Sequence, residues 1–596
     1  MFQSFEVTAR PEQGPPRLKA LRAELALEGL DGFLIPRADA HQGEYVAAHD
    51  ERLAWLTGFT GSAGFCAALC DAAGVFIDGR YRTQVKAQVA SDFAPVPWPE
   101  VSLAEWLIEQ LPNGGVVGFD PWLHTAGQLA QLDEGLESSG IEMRRSPNLV
   151  DRIWEDQPAP PMQDAKAHAL KFAGESHADK RARLGKALSN AGQAAAVITL
   201  PDSLNWLLNI RGADIPRNPV AHGFGVLHAS GAVDLFMEPQ KVAALADHLG
   251  DPVTVHAPDH LLAYLDTLPG PVRLDRQTVP MIIADTLGNR AVWGDDPCAL
   301  PKACKNAAEI AGSAEAHLRD GASLCELLAW LDMQAPGSLT ETQVVTQLEN
   351  CRRRDNTLQD ISFETIAGTG PNGAIMHYRV TAETDSTLED RHLLVLDSGG
   401  QYLDGTTDIT RTVAIGQPAQ EAREAFTRVL AGMIAMSRLR WPQGLAGRDI
   451  EMIGRVPLWL AGQDFDHGLG HGVGAYLSVH EGPQRLSKIS HVPLKAGMIL
   501  SNEPGYYREG AFGIRIENLL VVRDAPPLPG GDAHRKMLNW QTLSFAPIDR
   551  RLIVPEMLEP AARNWLNDYH MQVQQKIGPR LSPEAKLWLD AATAAL

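Results

Sequence analysis

Five residues in the second half of the chain have the types and spacing of a ligand set for two divalent metal ions: Asp397, Asp408, His471, Glu503 and Glu517. The first pair lies in Arg391-His-Leu-Leu-Val-Leu-Asp397, an apolar strand ending on an acid, and in Tyr402-Leu-Asp-Gly-Thr-Thr-Asp408. Together these segments read as a β-hairpin. With its turn centred between residues 402 and 403, Asp397 and Asp408 face each other directly. Directly opposed residues have Cβ atoms about 4.5–5.5 Å apart, where two carboxylates repel unless a cation lies between them. The second pair repeats the arrangement: Glu503 in Met498-Ile-Leu-Ser-Asn-Glu503 and Glu517 in Gly513-Ile-Arg-Ile-Glu517 are symmetric about Gly510 and read as cross-strand partners. Two carboxylate pairs plus one imidazole suit two hard or borderline ions about 3.5–4 Å apart.

The imidazole comes from His467-Gly-Leu-Gly-His471-Gly-Val-Gly, nine residues before His480. Glycines on both sides of His471 remove bulk, let backbone approach the site and permit positive φ where strand geometry breaks. The three histidines are expected to serve one pocket. His377 follows the Gly/Pro-rich run Gly368-Thr-Gly-Pro-Asn-Gly-Ala, which has the composition of a substrate-facing loop. Taken singly, each residue has an ordinary explanation, since an Asp at a strand end forms turns and a Glu in a strand is usually solvated. Joint occurrence carries the metal assignment: opposed acids in two hairpins, with a glycine-bracketed His between them.

The elements that position these residues belong to a long α/β chain. At 596 residues it exceeds one ordinary domain, and 44% apolar with 21% charged residues is the composition of packed cores. The pattern helix, apolar strand, Trp-Leu occurs twice: Leu18 to Leu27, Gly32 to Pro36 and Trp55-Leu, then, around residues 180–210, another charged helix, Ala195 to Leu200 and Trp206-Leu. Two similar α/β domains made by duplication are expected. Prolines in Glu155-Asp-Gln-Pro-Ala-Pro-Pro-Met mark the linker between them. The expected segments are 1–157, 158–304, 305–540, which holds the chemistry, and 541–596, a helical accessory tail.

A net charge of −20 argues against nucleic acid and anionic membranes as partners. No stretch approaches the roughly 18 apolar residues of a membrane span, and the first 25 residues lack a signal-peptide core, so the cytoplasm is the expected compartment. The six cysteines show no C-x-x-C and are expected as buried reduced thiols.

The motifs Asp404-Gly-Thr-Thr-Asp-Ile-Thr-Arg-Thr, His467-Gly-Leu-Gly-His-Gly-Val-Gly, Asn502-Glu-Pro-Gly-Tyr-Tyr and Gly513-Ile-Arg-Ile-Glu-Asn resemble those of the pita-bread metallopeptidases. That family includes aminopeptidase P, prolidase and methionine aminopeptidase. Trp55-Leu-Thr-Gly-Phe-Thr-Gly-Ser-Ala-Gly and the tail motif Trp565-Leu-Asn-Asp-Tyr-His look like the long, three-domain cytosolic aminopeptidase P type. The resemblance implies two creatinase-like N-terminal domains before a pita-bread catalytic domain, a dinuclear centre usually filled by manganese, and a homodimer. It implies that Asp408 and His471 complete one metal's environment, Asp397 chelates the other, and Glu503 and Glu517 hold the pair together. It also implies that His377 and His480 line the substrate pocket, with His467 and Arg515 nearby, and that the substrates are peptides with proline in the second position.

The chemistry expected is attack of a metal-bridging hydroxide on the bond before proline, with Glu503 as general acid/base. The leaving nitrogen has no N–H, so selection must act on the shape of the ring. A prolidase-type dipeptidase and a metal-free protein-interaction module of the same fold are the competing assignments.

Overall fold

The structure is a computed structural model that describes all 596 residues. It divides into two compact units: Thr8–Leu170 with Glu175–Ala299, and Met1–Val7 with Lys171–Gly174 and Leu300–Leu596.

In the first unit, a helix over Gly14–Glu28 buries Leu18, Leu21 and Leu25 and stops at Gly29, whose φ of 62° is the left-handed region that a side chain disfavours. The expected strand follows as β1 (Gly32–Pro36), with β2 (Phe65–Leu69), β3 (Ala73–Ile77), β4 (Ala94–Pro97), β5 (Gly115–Phe119) and β6 (Ile141–Arg145). They form one sheet in the order β4-β3-β2-β1-β5-β6. Pairing is antiparallel across β3-β2-β1 and parallel elsewhere. A second six-stranded sheet is built from Ala195–Ile198, Phe224–His228, Val233–Phe236, Val253–His256, Val272–Leu274 and Ala291–Trp293. Numbered in chain order, its strands take the same 4-3-2-1-5-6 places with the same directions. The duplicated pattern in the sequence is thus a duplicated topology, and each copy has its Trp on a short helix, Arg52–Thr57 or Pro201–Leu208. The proline-rich stretch 155–162 carries no regular element.

The second unit opens with a helix over Ala307–Asp332, started by an Asn306/Glu309 capping box. A three-stranded sheet joins Ile366–Thr369, Leu393–Ser398 and Ile409–Ala414. A six-stranded sheet runs in the order Arg440–Pro442, Met537–Thr542, Asn518–Asp524, Ile499–Asn502, Gly470–Gly472, Glu481–Leu486. The tail helix Pro560–Ile577 buries Leu566, Tyr569, Val573 and Ile577 in the same core as Phe426 and Met433. Each such aliphatic burial contributes about 1.5–3 kcal/mol, so the tail is part of this unit's stability.

The two hairpins differ in how they match expectation. Asn502 pairs with Asn518 and Gly505 with Arg515, both symmetric about Gly510 as read from the sequence. The first hairpin turns one residue later: Tyr402 pairs with Gly405 and Asp397 with Thr410, so Asp397 and Asp408 are diagonal neighbours and not opposed. The cause is a two-residue turn at Leu403-Asp404. The hairpin also crosses between two sheets at Gly399 and Thr407, where backbones approach so closely that a Cβ on Gly399 would overlap the Thr407 carbonyl. All six cysteines are free, but only four are buried: Cys304 is half-buried, and Cys70 is exposed because it lies in the turn after β2 and not in the strand. No helix is long and apolar enough to cross a membrane.

Candidate metal centre

Four elements deliver the predicted ligands. Asp397 stands on the strand Leu393–Ser398, and Asp408 immediately precedes the strand Ile409–Ala414. His471 is central in the short strand Gly470–Gly472. Glu503 and Glu517 occupy a lapse in their ladder, between the pairs Asn502–Asn518 and Gly505–Arg515. Their amides bond elsewhere: Glu503 N–H donates to Leu469 O at 2.9 Å and Glu517 N–H to Thr410 O at 3.1 Å. Glu503 is thereby tied to the residue before the His471 strand, and Glu517 to the strand that Asp408 precedes.

Glycine does for His471 one of the two things expected of it. A Cβ on Gly470 would overlap the Ser501 carbonyl, and one on Gly472 the Glu481 carbonyl, so close strand approach requires both glycines. Neither has positive φ, however, because the segment remains extended.

Ligand atoms of Asp408, His471 and Glu517 lie within 4.8 Å of one another. His471 Nε2 is 3.5 Å from Asp408 Oδ2 and 3.4 Å from Glu503 Oε1. Its Nδ1 is 3.0 Å from the Gly472 carbonyl, which only accepts. The neutral ring therefore carries its proton on Nδ1 and presents the Nε2 lone pair to the acids. Ser501 Oγ supports both sides, accepting from the His471 amide at 2.9 Å and donating to Glu503 Oε1 at 3.1 Å.

The electrostatics favour a cation. Asp397, Asp408 and Glu517 are buried, and Asp397 Oδ1, Asp408 Oδ1 and Glu517 Oε1 have no hydrogen-bond donor. Burial, then Asp397 and Glu503, push the Asp408 carboxyl well above the usual carboxylate range. Burial, then Asp408, Glu503 and Asp397, do the same to Glu517. Glu503 is also raised, chiefly by burial, against the pull of His471 and Arg515. Clustered buried acids with donorless oxygens beside an imidazole lone pair are what a divalent cation satisfies, so the residues fit bound metal.

Arg515 sits on the acid cluster directly, donating to Asp397 Oδ2 from Nη2 at 2.6 Å and Nε at 3.1 Å, which leaves Oδ1 free. Its Nη1 donates to Tyr507 OH at 2.6 Å, and Tyr507 OH lies 2.9 Å from His467 Nε2. His467 Nδ1 faces the Gly468 carbonyl, so in the neutral ring Nε2 accepts from Tyr507. Burial pushes the Tyr507 phenol up to about 12, which keeps it a donor. His467 is thus linked to Asp397 through Tyr507 and Arg515. The ring of His480 packs edge-on against His471 with centroids 4.3 Å apart. Glu481 beside it is pinned by the buried Lys302 at 2.8 Å and by Lys305. His377 is half-buried on the segment after the Gly370–Ala374 turn, which packs on the strand Phe512–Arg515.

Sequence reasoning passed over Tyr507, Ser501 and Thr410, whose Oγ1 donates to Glu517 Oε2 at 2.9 Å. Each lies within four residues of a predicted ligand. Arg411 was also passed over: its buried guanidinium bonds the Glu517 carbonyl at 2.6 Å and Tyr569 OH of the tail helix at 2.8 Å.

Comparison with known proteins agrees with this anatomy. Residues 302–524 match the model of metallopeptidase family M24, and 536–596 that of the C-terminal region of the same peptidases. Residues 17–153 and 156–309 each match a creatinase/prolidase N-terminal domain. Aminopeptidase P2 of Arabidopsis thaliana is 38% identical, over 93% of this chain and 84% of its own. A probable Xaa-Pro aminopeptidase P of Aspergillus clavatus is 37% identical, over 94% and 89%. The solved X-prolyl aminopeptidase of Caenorhabditis elegans, described as a cytosolic enzyme with a di-nuclear active site, superposes with a TM-score of 0.93 at 30% identity, covering 98% of this chain and 100% of that one. The chain belongs to metallopeptidase family M24, in its aminopeptidase P branch.

Proposed function

We propose that this chain is an Xaa-Pro aminopeptidase that hydrolyses the bond between an N-terminal residue and a following proline. The observation that carries the metal-dependent chemistry is the grouping of Asp408, His471 and Glu517 with ligand atoms within 4.8 Å of one another, while buried oxygens of Asp397, Asp408 and Glu517 have no hydrogen-bond donor. The proline preference is supported by the likeness, over nearly the whole chain, to proteins named for it.

Asp397, Asp408, His471, Glu503 and Glu517 would hold two divalent ions. When bound, such ions lower the pKa of water and polarise the scissile carbonyl. Manganese is the proposed metal, because the donor set is four carboxylates and one imidazole without a thiolate. Glu503 takes a proton from the attacking water and delivers one to the leaving prolyl nitrogen. Its Oε1 lies 3.4 Å from His471 Nε2, at the centre of the acid cluster where a proton is to be moved. Arg515 fixes Asp397 by a two-bond clasp, leaving Oδ1 available. His480, set against His471, and His377 contact the substrate carbonyl region. His467 acts through Tyr507 on Arg515.

The segments 1–157, 158–304, 305–540 and 541–596 are the proposed domains, and the cytoplasm the proposed compartment. A homodimer is supported by an exposed apolar stripe on one helix: Met452, Val456, Trp459 and, one residue beyond it, Leu460, which is 86% exposed.

The test is a panel of short peptides varied at the second residue, with and without added Mn²⁺. Cleavage confined to proline and dependent on metal is expected. Cleavage indifferent to the second residue refutes the specificity, and cleavage of Xaa-Pro dipeptides but not of Xaa-Pro-Pro peptides favours a dipeptidase.

A further inference from the structure

Glu341 is the first residue of the helix Glu341–Arg352 and is fully buried. No Lys, Arg or His pairs with it. Its partners are neutral donors: Thr369 N–H at 2.7 Å, Asn372 Nδ2 at 3.0 and 3.2 Å, Tyr378 OH at 2.8 Å and Ser386 N–H at 3.2 Å. All of them come from the segment that brackets His377. Its own amide returns a bond to the Ser386 carbonyl at 3.1 Å.

A carboxylate at a helix N-terminus gains from the helix dipole, but an Asn or Ser cap gains as well without burying a charge. What only a carboxylate supplies is two oxygens that accept several donors at once. The bracketed segment needs this. It runs through the Gly/Pro turn Gly370–Ala374 and ends on Tyr378, with few ladder bonds of its own. Its opposite face rests on the strand carrying Arg515, so closely that a Cβ on Gly513 would overlap the Gly373 carbonyl. The segment is therefore held between that strand and a buried anion.

We propose that Glu341 is a positioning residue for His377, setting the depth at which this histidine meets the substrate. The proposal rests on the assignment of His377 to the substrate pocket made above. Glu341→Gln keeps the size but turns an NH₂ group toward donors, so the segment loses acceptors on one side.

The test is a double-mutant cycle of Glu341→Gln and His377→Ala, read as kcat and KM on an Xaa-Pro-Pro peptide, with melting temperature and metal content measured alongside. Glu341→Gln alone is expected to lower kcat by about 10–100-fold, with KM within about twofold and metal content unchanged. In the His377→Ala background it is expected to add less than about twofold. The same loss in both backgrounds, or no loss in the wild type, overturns the proposal while leaving His377's role intact. Wild-type activity of His377→Ala instead overturns the pocket assignment, and the proposal with it. If Glu341→Gln does not fold, Tyr378→Phe removes one donor only and is expected to show the same non-additivity at smaller size.

Discussion

Replacing Asp408 by Asn is expected to move stability in opposite directions with and without metal. In the metal-free protein, Asp408 is a buried acid beside Asp397, Glu503 and Glu517, with Oδ1 lacking a donor. Like charges about 4 Å apart repel by about 4 kcal/mol at an effective dielectric of 20, and proton uptake relieves only part of this. The isosteric amide removes the charge, so metal-free Asp408→Asn should be more stable by about 1–3 kcal/mol. For a unit of this size that is about 2–5 °C in Tm. With Mn²⁺ at a hundredfold excess over its Kd, the wild type gains about 2.7 kcal/mol, and the variant, short of one ligand, gains little. The order of melting should reverse. Scanning calorimetry after dialysis against EDTA, then with excess Mn²⁺, reads both states.

The pH dependence has a definite sign. The folded carboxyls of Asp408 and Glu517 lie above their unfolded values. Their contribution to metal-free stability is therefore fully present below about pH 4 and is lost as pH rises through the raised folded values. The advantage of Asp408→Asn in EDTA should accordingly grow from pH 5 to pH 8. A variant that melts below the wild type in EDTA, or that Mn²⁺ stabilises equally, would refute the picture of mutually repelling ligands.

Three further expectations concern other parts of the molecule. Glu503→Gln should lower kcat by at least about 100-fold while metal content by elemental analysis stays near wild type; ordinary turnover removes its proton-transfer role. Burial pushes the Asp296 carboxyl, whose Oδ2 has no donor, up to about 6. Its stabilising contribution is present below about pH 4 and is lost through pH 6, at a cost of about 3 kcal/mol. Asp296→Asn should therefore flatten the fall in Tm between pH 5 and 7.5, and an unchanged slope contradicts the assignment. Val456→Asp, in the middle of the exposed stripe, should shift a dimer to monomer in analytical ultracentrifugation, and a wild-type monomer ends the proposed pairing.

Local pattern carried much of this architecture. The duplicated helix, strand and Trp-Leu motif foretold two sheets of one topology, because such motifs fold largely through near neighbours. The symmetry about Gly510 foretold the register of the flanking pairs, Asn502–Asn518 and Gly505–Arg515, although Glu503 and Glu517 themselves fall where the ladder lapses. The same arithmetic missed Asp408 because its hairpin turns at Leu403-Asp404, one residue later than the spacing of the two acids suggests, and strand periodicity does not fix where a turn closes. Glu341 was illegible for another reason: its donors lie 28 to 45 residues away, on a loop whose path only tertiary packing decides. Arg411 and Tyr569, 158 residues apart, are the extreme case.

The main-chain bonds from Glu503 to Leu469 and from Glu517 to Thr410 bear on how such a protein can change over time. Position at the centre is dictated by backbone, whereas the acids themselves weaken the fold wherever no cation offsets their repulsion. Losing them is thermodynamically downhill. A descendant with small apolar or amide side chains at these five places would keep the scaffold, gain stability and forfeit hydrolysis in a few substitutions. The presence of all five in this chain is therefore accounted for by chemistry, because folding alone would favour their absence.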